Sequence, residues 1–262
     1  MKDKIYRASR GKINYKAAGS KIGNLTNDKI SYNLVNGKII QMENRMNFLE
    51  LAFLGMSAFA LEIVIYWFEI QLHANTVLLR GGLTPLVFHM SVTCFAWIIA
   101  AYMLFRYGEE EKDFSLLQFR TRPDTARMSV SLILTGAVVL LSAYFNGFMP
   151  RAVVELLAMT DRFGLGGFVL FLFEYMYYFF QTILVLLTIS FAQEYFDRKL
   201  RKSLPWGGMF VGALLGGLHT LSRGGATGLQ TMVCGLVGGV VYLLLHKNPR
   251  YTIPVLFALF AL

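Results

Sequence analysis

Gly166–Ala192 reads GGFVLFLFEYMYYFFQTILVLLTISFA, an apolar run whose single charged residue is Glu174. A membrane-crossing helix needs roughly 20 apolar residues, and this stretch supplies them without a break. Runs of similar texture lie at 48–70, 83–105, 128–148, 206–223, 228–245 and 251–262. The expected architecture is therefore all-α, a polytopic transmembrane helix bundle of about seven membrane segments. The last run covers only about 18 Å as a helix, so it crosses about half a bilayer. Composition agrees: 55% of the 262 residues are hydrophobic and 16% charged. With a mean hydropathy of +0.50, this lies outside the range of a soluble globule.

The formal net charge of +9 suggests a polyanionic partner until its distribution is read. Ten Lys/Arg fall in 1–46, five in 106–127, four in 198–202 and two in 247–250. The alternate connections hold only Arg80, Arg151, Arg162 and Arg223. Such a split follows the positive-inside rule and needs no nucleic acid. It predicts a multi-pass protein with a cytoplasmic N-terminus and the lipid bilayer as its surroundings. No apolar stretch follows the first charges closely enough for a cleavable signal peptide.

Residues 1–46 read as a basic, mostly flexible cytoplasmic tail that attracts anionic lipid, with a surface-lying stretch near 30–40. Residues 47–262 form the transmembrane domain. The segment Arg106–Arg127, with Glu109-Glu110-Glu111 and Pro123, reads as a solvated connector, and 150–163 as a short amphipathic helix. Cys94 and Cys234 sit in apolar runs and read as buried small hydrophobes. Eleven glycines lie between Gly207 and Gly239, among them Gly208, Gly212 and Gly216, then Gly235 and Gly239. Small residues at a four-residue spacing let helices approach closely in lipid, which predicts a tightly packed unit over 166–262.

Ionisable residues in such runs are costly and usually functional. Glu62, His89 and Glu174 are candidate partners for one another, either as structural hydrogen bonds or as a proton relay. Glu194 and Arg198 share a helix face by their i, i+4 spacing, and Gln193 and Asp197 share the neighbouring one. Pro205 separates this helix from the next, which carries His219. Glu194 lies about 16 Å before the proline along a helix and His219 about 21 Å after it. An antiparallel pair would bring them to similar depth. The carboxylate would then serve as a general base on water, with Arg198 holding it ionised and His219 orienting or polarising. Alternatively Glu194 and His219 are two ligands of a divalent metal, fewer than a zinc site requires.

Gln193-Glu194-x-x-x-Arg198 resembles the Glu-Glu-x-x-x-Arg signature of the CAAX-protease and bacteriocin-processing (Abi) membrane family, and Leu215-x-x-x-His219 resembles its Phe-x-x-x-His motif. The likeness covers roughly residues 166–262. It implies an all-helical intramembrane endopeptidase of a bacterial plasma membrane, acting on a membrane-associated peptide or protein. In that family a glutamate activates water, and histidines with an asparagine bind a metal or stabilise the oxyanion. By position, Glu194 would be the retained glutamate, Arg198 its arginine and His219 the second-motif histidine, with zinc as the metal. Two departures stand out. Gln193 replaces the first glutamate, and Tyr251–Leu262, where a His-x-x-x-Asn element is expected, has neither residue; His246 and Asn248 lie upstream at another spacing. The alternative expectation is a catalytically inactive homologue that binds, protects against or scaffolds a membrane partner.

Overall fold

A computed structural model describes residues 31–35, 38–42, 46–73, 82–112, 114, 122–145 and 147–261. The chain divides into two units, Met1–Arg45 and Met46–Leu262. In the first, β1 (Ser31–Val35) pairs antiparallel with β2 (Lys38–Met42), Ser31 opposite Met42 and Val35 opposite Lys38. The stretch expected to lie on the membrane surface thus holds two paired strands. Asn36-Gly37, the dipeptide between the strands, is the strongest short-range hairpin signal. The flexible tail expected over 1–30 lies outside the described residues.

The second unit is helical. Among the described residues it holds α1 (Phe48–His73), α2 (Leu83–Lys112), α3 (Thr125–Phe145), α4 (Arg151–Phe163), α5 (Leu165–Leu200), α6 (Trp206–Arg223), α7 (Gly225–Leu244) and α8 (Pro249–Ala261). Five of these, α1, α2, α3, α5 and α7, are long and apolar enough to cross a membrane. The other two segments read as spans form the less apolar α6, with His219 and Arg223 in its last two turns, and α8 with 13 residues. Phe95, Ile133, Leu140 and Leu172 are all more than half exposed. Such a surface suits hydrocarbon rather than water. The chain is a multi-pass membrane protein in contact with lipid.

Local chemistry sets the helix ends. Asn47 and Glu50 form a reciprocal cap on α1, the Asn47 side chain accepting from Glu50 N (2.9 Å) and the Glu50 carboxylate from Asn47 N (2.8 Å). Asp124 accepts from Arg127 N at the start of α3. The expected solvated connector 106–127 is shorter than read, because α2 continues through the acidic run to Lys112. There Arg106 pairs with Glu110 one turn on.

α5 is the central element, packed against α1, α2, α4, α6 and α8. Ten consecutive residues, Leu184–Gln193, are buried, which a helix achieves only when neighbours enclose it on every side. Its hydroxyls are satisfied within the helix: Thr182 donates to Tyr178 O, Thr188 to Leu184 O and Ser190 to Leu186 O. Glycine lets the neighbours in. Gly55 of α1 lies against Thr188, and Gly207 of α6 lies on the Ile189 carbonyl.

α6 and α7 form the hairpin predicted from the glycine spacing. A Cβ on Gly235 would stand 2.5 Å from Gly212 Cα, and one on Gly239 would stand 2.5 Å from Gly208 Cα. Both distances are below any real contact. The two backbones touch directly, the small-residue packing by which helices associate in lipid. Gly235→Val should therefore cost about 1–3 kcal/mol through overpacking, read as a lower unfolding midpoint in detergent titration. Gly217→Ala, which meets nothing within 4 Å, should leave that midpoint unchanged.

Candidate functional site

The Gln193–Arg198 segment occupies the last turns of α5, at the end of the bundle where Arg198–Lys202, the α7–α8 turn and the start of α6 meet. Gln193 is completely buried. Its Nε2 donates to Asp197 Oδ1 (2.8 Å) and Leu204 O (2.6 Å), and its Oε1 accepts from Gly207 N (3.0 Å). Two acceptors and one donor therefore fix the amide's orientation and its chemistry. A glutamate here would turn a carboxylate towards two oxygens.

Glu194 and Arg198 are brought together, as their spacing predicts: Arg198 Nε donates to Glu194 Oε1 at 2.8 Å. The guanidinium also lies over the Phe48 ring, 4.6 Å from its centroid. A third partner arrives from the α7–α8 turn. Lys247 Nζ donates to Asp197 Oδ2 (3.0 Å) and stands 3.7 Å from Glu194 Oε2. The turn is tight because His246 and Lys247 both adopt left-handed backbone, φ 56° and 58°. Asn248 then caps α8 by accepting from Arg250 N, with Pro249 at the first helical position. Lys247 was invisible as a site residue in sequence, since only the turn carries it back to α5. His246, the nearest histidine to the missing third motif, contacts Arg127 instead.

His219 lies elsewhere. Its Nδ1 is 2.7 Å from Thr231 Oγ1. That hydroxyl spends its own hydrogen on Thr227 O, so His219 Nδ1 must be the donor. Gln193 is level with Leu204–Gly207, and His219 is twelve residues further along α6, about 18 Å away. The expected equal depth assumed that both helices run to Pro205. α5 instead ends at Leu200, where Arg201 caps it in left-handed conformation, and the returning chain packs Gly207 onto Ile189. Glu194 and His219 consequently share no site. They do not fit a divalent metal between them, because both Glu194 oxygens face cations. No group of three or more His, Cys, Asp or Glu is placed to hold a metal among the described residues.

The other candidate residues, Glu62, His89 and Glu174, lie at the opposite end, in two places. Between α1 and α2, His89 Nδ1 lies 2.8 Å from Glu69 Oε2 and Nε2 lies 3.9 Å from Glu62 Oε1. Glu62 and His89 thus face one another, but the closer partner is Glu69, two turns past Glu62. Between α4, α5 and α8, Arg151 Nε donates to Glu155 Oε1 (2.6 Å), Nη2 to Tyr178 Oη (2.7 Å) and Nη1 to Phe260 O (3.3 Å). The Tyr178 hydroxyl lies 3.1 Å from Glu155 Oε1 and 3.0 Å from Glu174 Oε1. Burial opposes the Arg151 charge, but Tyr178, Glu155 and Glu174 outweigh it and lift its pKa above the ordinary value. Glu174 faces this cluster, so its expected pairing with Glu62 or His89 gives way to α4. The i, i+4 pairs Arg151/Glu155 and Glu174/Tyr178 were the available signal.

No family model matches the chain, and no curated protein or solved structure is significantly similar to it.

The Gln193 network makes an unusual substitution informative. Gln193→Glu, which restores the glutamate pair of the resembling family, should destabilise the fold. It removes both N–H donors from Asp197 and Leu204 O and buries a carboxylate among acceptors, each orphaned group costing about 1–3 kcal/mol. Glu194→Gln weakens two partly exposed ion pairs, with Arg198 and Lys247, each worth about 0–1 kcal/mol. Thermal unfolding in detergent should rank Gln193→Glu well below Glu194→Gln and wild type.

Proposed function

We propose that this chain is a membrane binding or scaffold protein that engages a membrane-associated peptide or protein partner without cleaving it. The observation that carries this reading is the state of the motif: Glu194 is held between Arg198 and Lys247, and Gln193 is spent as a buried joint between helices. A general base must reach the water it deprotonates, and here the carboxylate is turned into an ion-pair network about 18 Å along α6 from the only motif histidine. The segments Gln193–Arg198 and Leu215–His219 support descent from the CAAX-protease and bacteriocin-processing group, with its peptidase residues redirected to structure. That descent also supports a bacterial plasma membrane.

The orientation follows from charge. Placing the N-terminus in the cytoplasm puts Arg198–Lys202, Lys247 and Arg250 on the same side and leaves α4 with Arg151 and Arg162 on the other, as positive-inside bias requires. Trp206 and Tyr195 lie at the cytoplasmic end, residue types enriched at such membrane interfaces.

The rival reading is peptide hydrolysis, and one comparison separates them. The chain is reconstituted in lipid nanodiscs and incubated with a library of membrane-anchored fluorogenic peptides. The expected result is no cleavage beyond that of the Glu194→Gln and His219→Ala variants. Turnover that both substitutions abolish would overturn the binding reading.

A further inference from the structure

The α1–α2 interface holds three ionisable side chains at the end of the bundle opposite the basic one. Glu62 and Glu69 are seven residues apart on α1 and therefore on one face, and His89 faces them from α2. Their surroundings are apolar and aromatic: the Tyr66 ring packs edge-on at 6.0 Å from the His89 ring. Glu69 is nine-tenths buried, and its Oε1 has no hydrogen-bond partner among the described residues. Thr93 Oγ1, one helical turn beyond His89 on α2, is buried and without a partner as well. An apolar helix pair gains nothing from such groups by packing alone, and polar atoms at hydrocarbon depth persist where they serve a proton or ion.

The imidazole ring decides which. Its two nitrogens point to different carboxylates, Nδ1 to Glu69 at 2.8 Å and Nε2 to Glu62 at 3.9 Å. The first is a hydrogen bond and the second an ion-pair separation; a neutral imidazole would turn a lone pair towards one of the two acids, and only the imidazolium presents an N–H to both. We propose that Glu62, Glu69 and His89 form a proton-binding site in which the bound proton, carried as the His89 imidazolium, clasps α1 to α2. Loss of the proton leaves a neutral ring with a lone pair facing a carboxylate, and removes the positive charge that His89 places between the two acids. Like charges at low dielectric repel strongly, so this end of the α1–α2 pair parts. Among the described residues, the charged and titratable groups facing the ring are Glu62, Tyr66 and Glu69 from α1, with Cys94 further along α2 itself. The nearest acid on α5, Glu174, is engaged with Tyr178.

The site is separate from the Gln193–Arg198 network and does not depend on whether the protein cleaves or binds peptides. In the orientation proposed above, this end faces the outside and the proton comes from there; the measurements below do not rest on that orientation.

Nitrogen NMR of ring-labelled protein in nanodiscs tests it directly. The chain has four histidines, and His89→Asn identifies the signal. The expected spectrum at neutral pH is the imidazolium pattern with both ring nitrogens protonated, reverting to the neutral pattern in Glu69→Gln. A neutral, singly protonated ring in the wild type at neutral pH would overturn the proposal. A second readout needs no change at the site. Spin labels at exposed Ile70 and Phe88 should report a longer, broader distance distribution once alkaline titration removes the imidazolium signal. A distance unchanged through that titration would overturn the clasp.

Discussion

The enclosure of α5 is the constraint from which the rest of the helical unit follows. Ten successive residues, Leu184–Gln193, lie buried among neighbouring helices. Nothing in that position can reach water, so each polar group must find its partner inside the protein. Thr188 and Ser190 do so by bonding back to their own helix, and Gln193 does so by reaching across to Leu204 and Gly207. Neighbours can close around such a helix only where they carry little side chain. Gly55, Gly108 and Gly207 are those points, lying against Thr188, Phe191 and the Ile189 carbonyl.

The same enclosure explains the arrangement of Gln193–Arg198. α5 runs on past the buried segment to Leu200, and the returning chain passes Gln193, whose side chain must serve two acceptors and one donor. An amide does this and a carboxylate does not. Glu194, one residue on, points away from the core towards Arg198 and Lys247. Asp197, one turn beyond Gln193, ties Lys247 to the amide. The result is a knot of five side chains joining α5, the start of α6 and the α7–α8 turn.

Charge is distributed unevenly in kind as well as number. At the basic end the ion pairs are partly exposed and redundant, which suits an interface with headgroups and water. At the opposite end, Glu62, Glu69 and His89 lie between α1 and α2 beside the Tyr66 ring, and Arg151, Glu155 and Glu174 lie between α4, α5 and α8 beside Tyr178. Each places two acids around one cation-forming base.

Much of the architecture could be read from the residues. Long apolar runs announced the helices because hydrocarbon admits little else, and the Gly208/Gly212/Gly235/Gly239 spacing announced the α6–α7 contact because backbone approach needs the missing Cβ. Pairs four apart, such as Glu194 with Arg198, were legible because one helix places them. The failures share a cause. Ending α5 at Leu200 instead of near Pro205 changed which residues of α6 stand beside Gln193, and a few residues of error there moved His219 about 18 Å from Glu194. Lys247 reached the motif through two consecutive left-handed residues that no pattern marks. Local chemistry, repeated along a helix, thus chose the elements, their faces and their medium. Which faces meet, and therefore which charges become partners, depended on where each chain reversal stopped, because contacts between helices are set by register and not by composition.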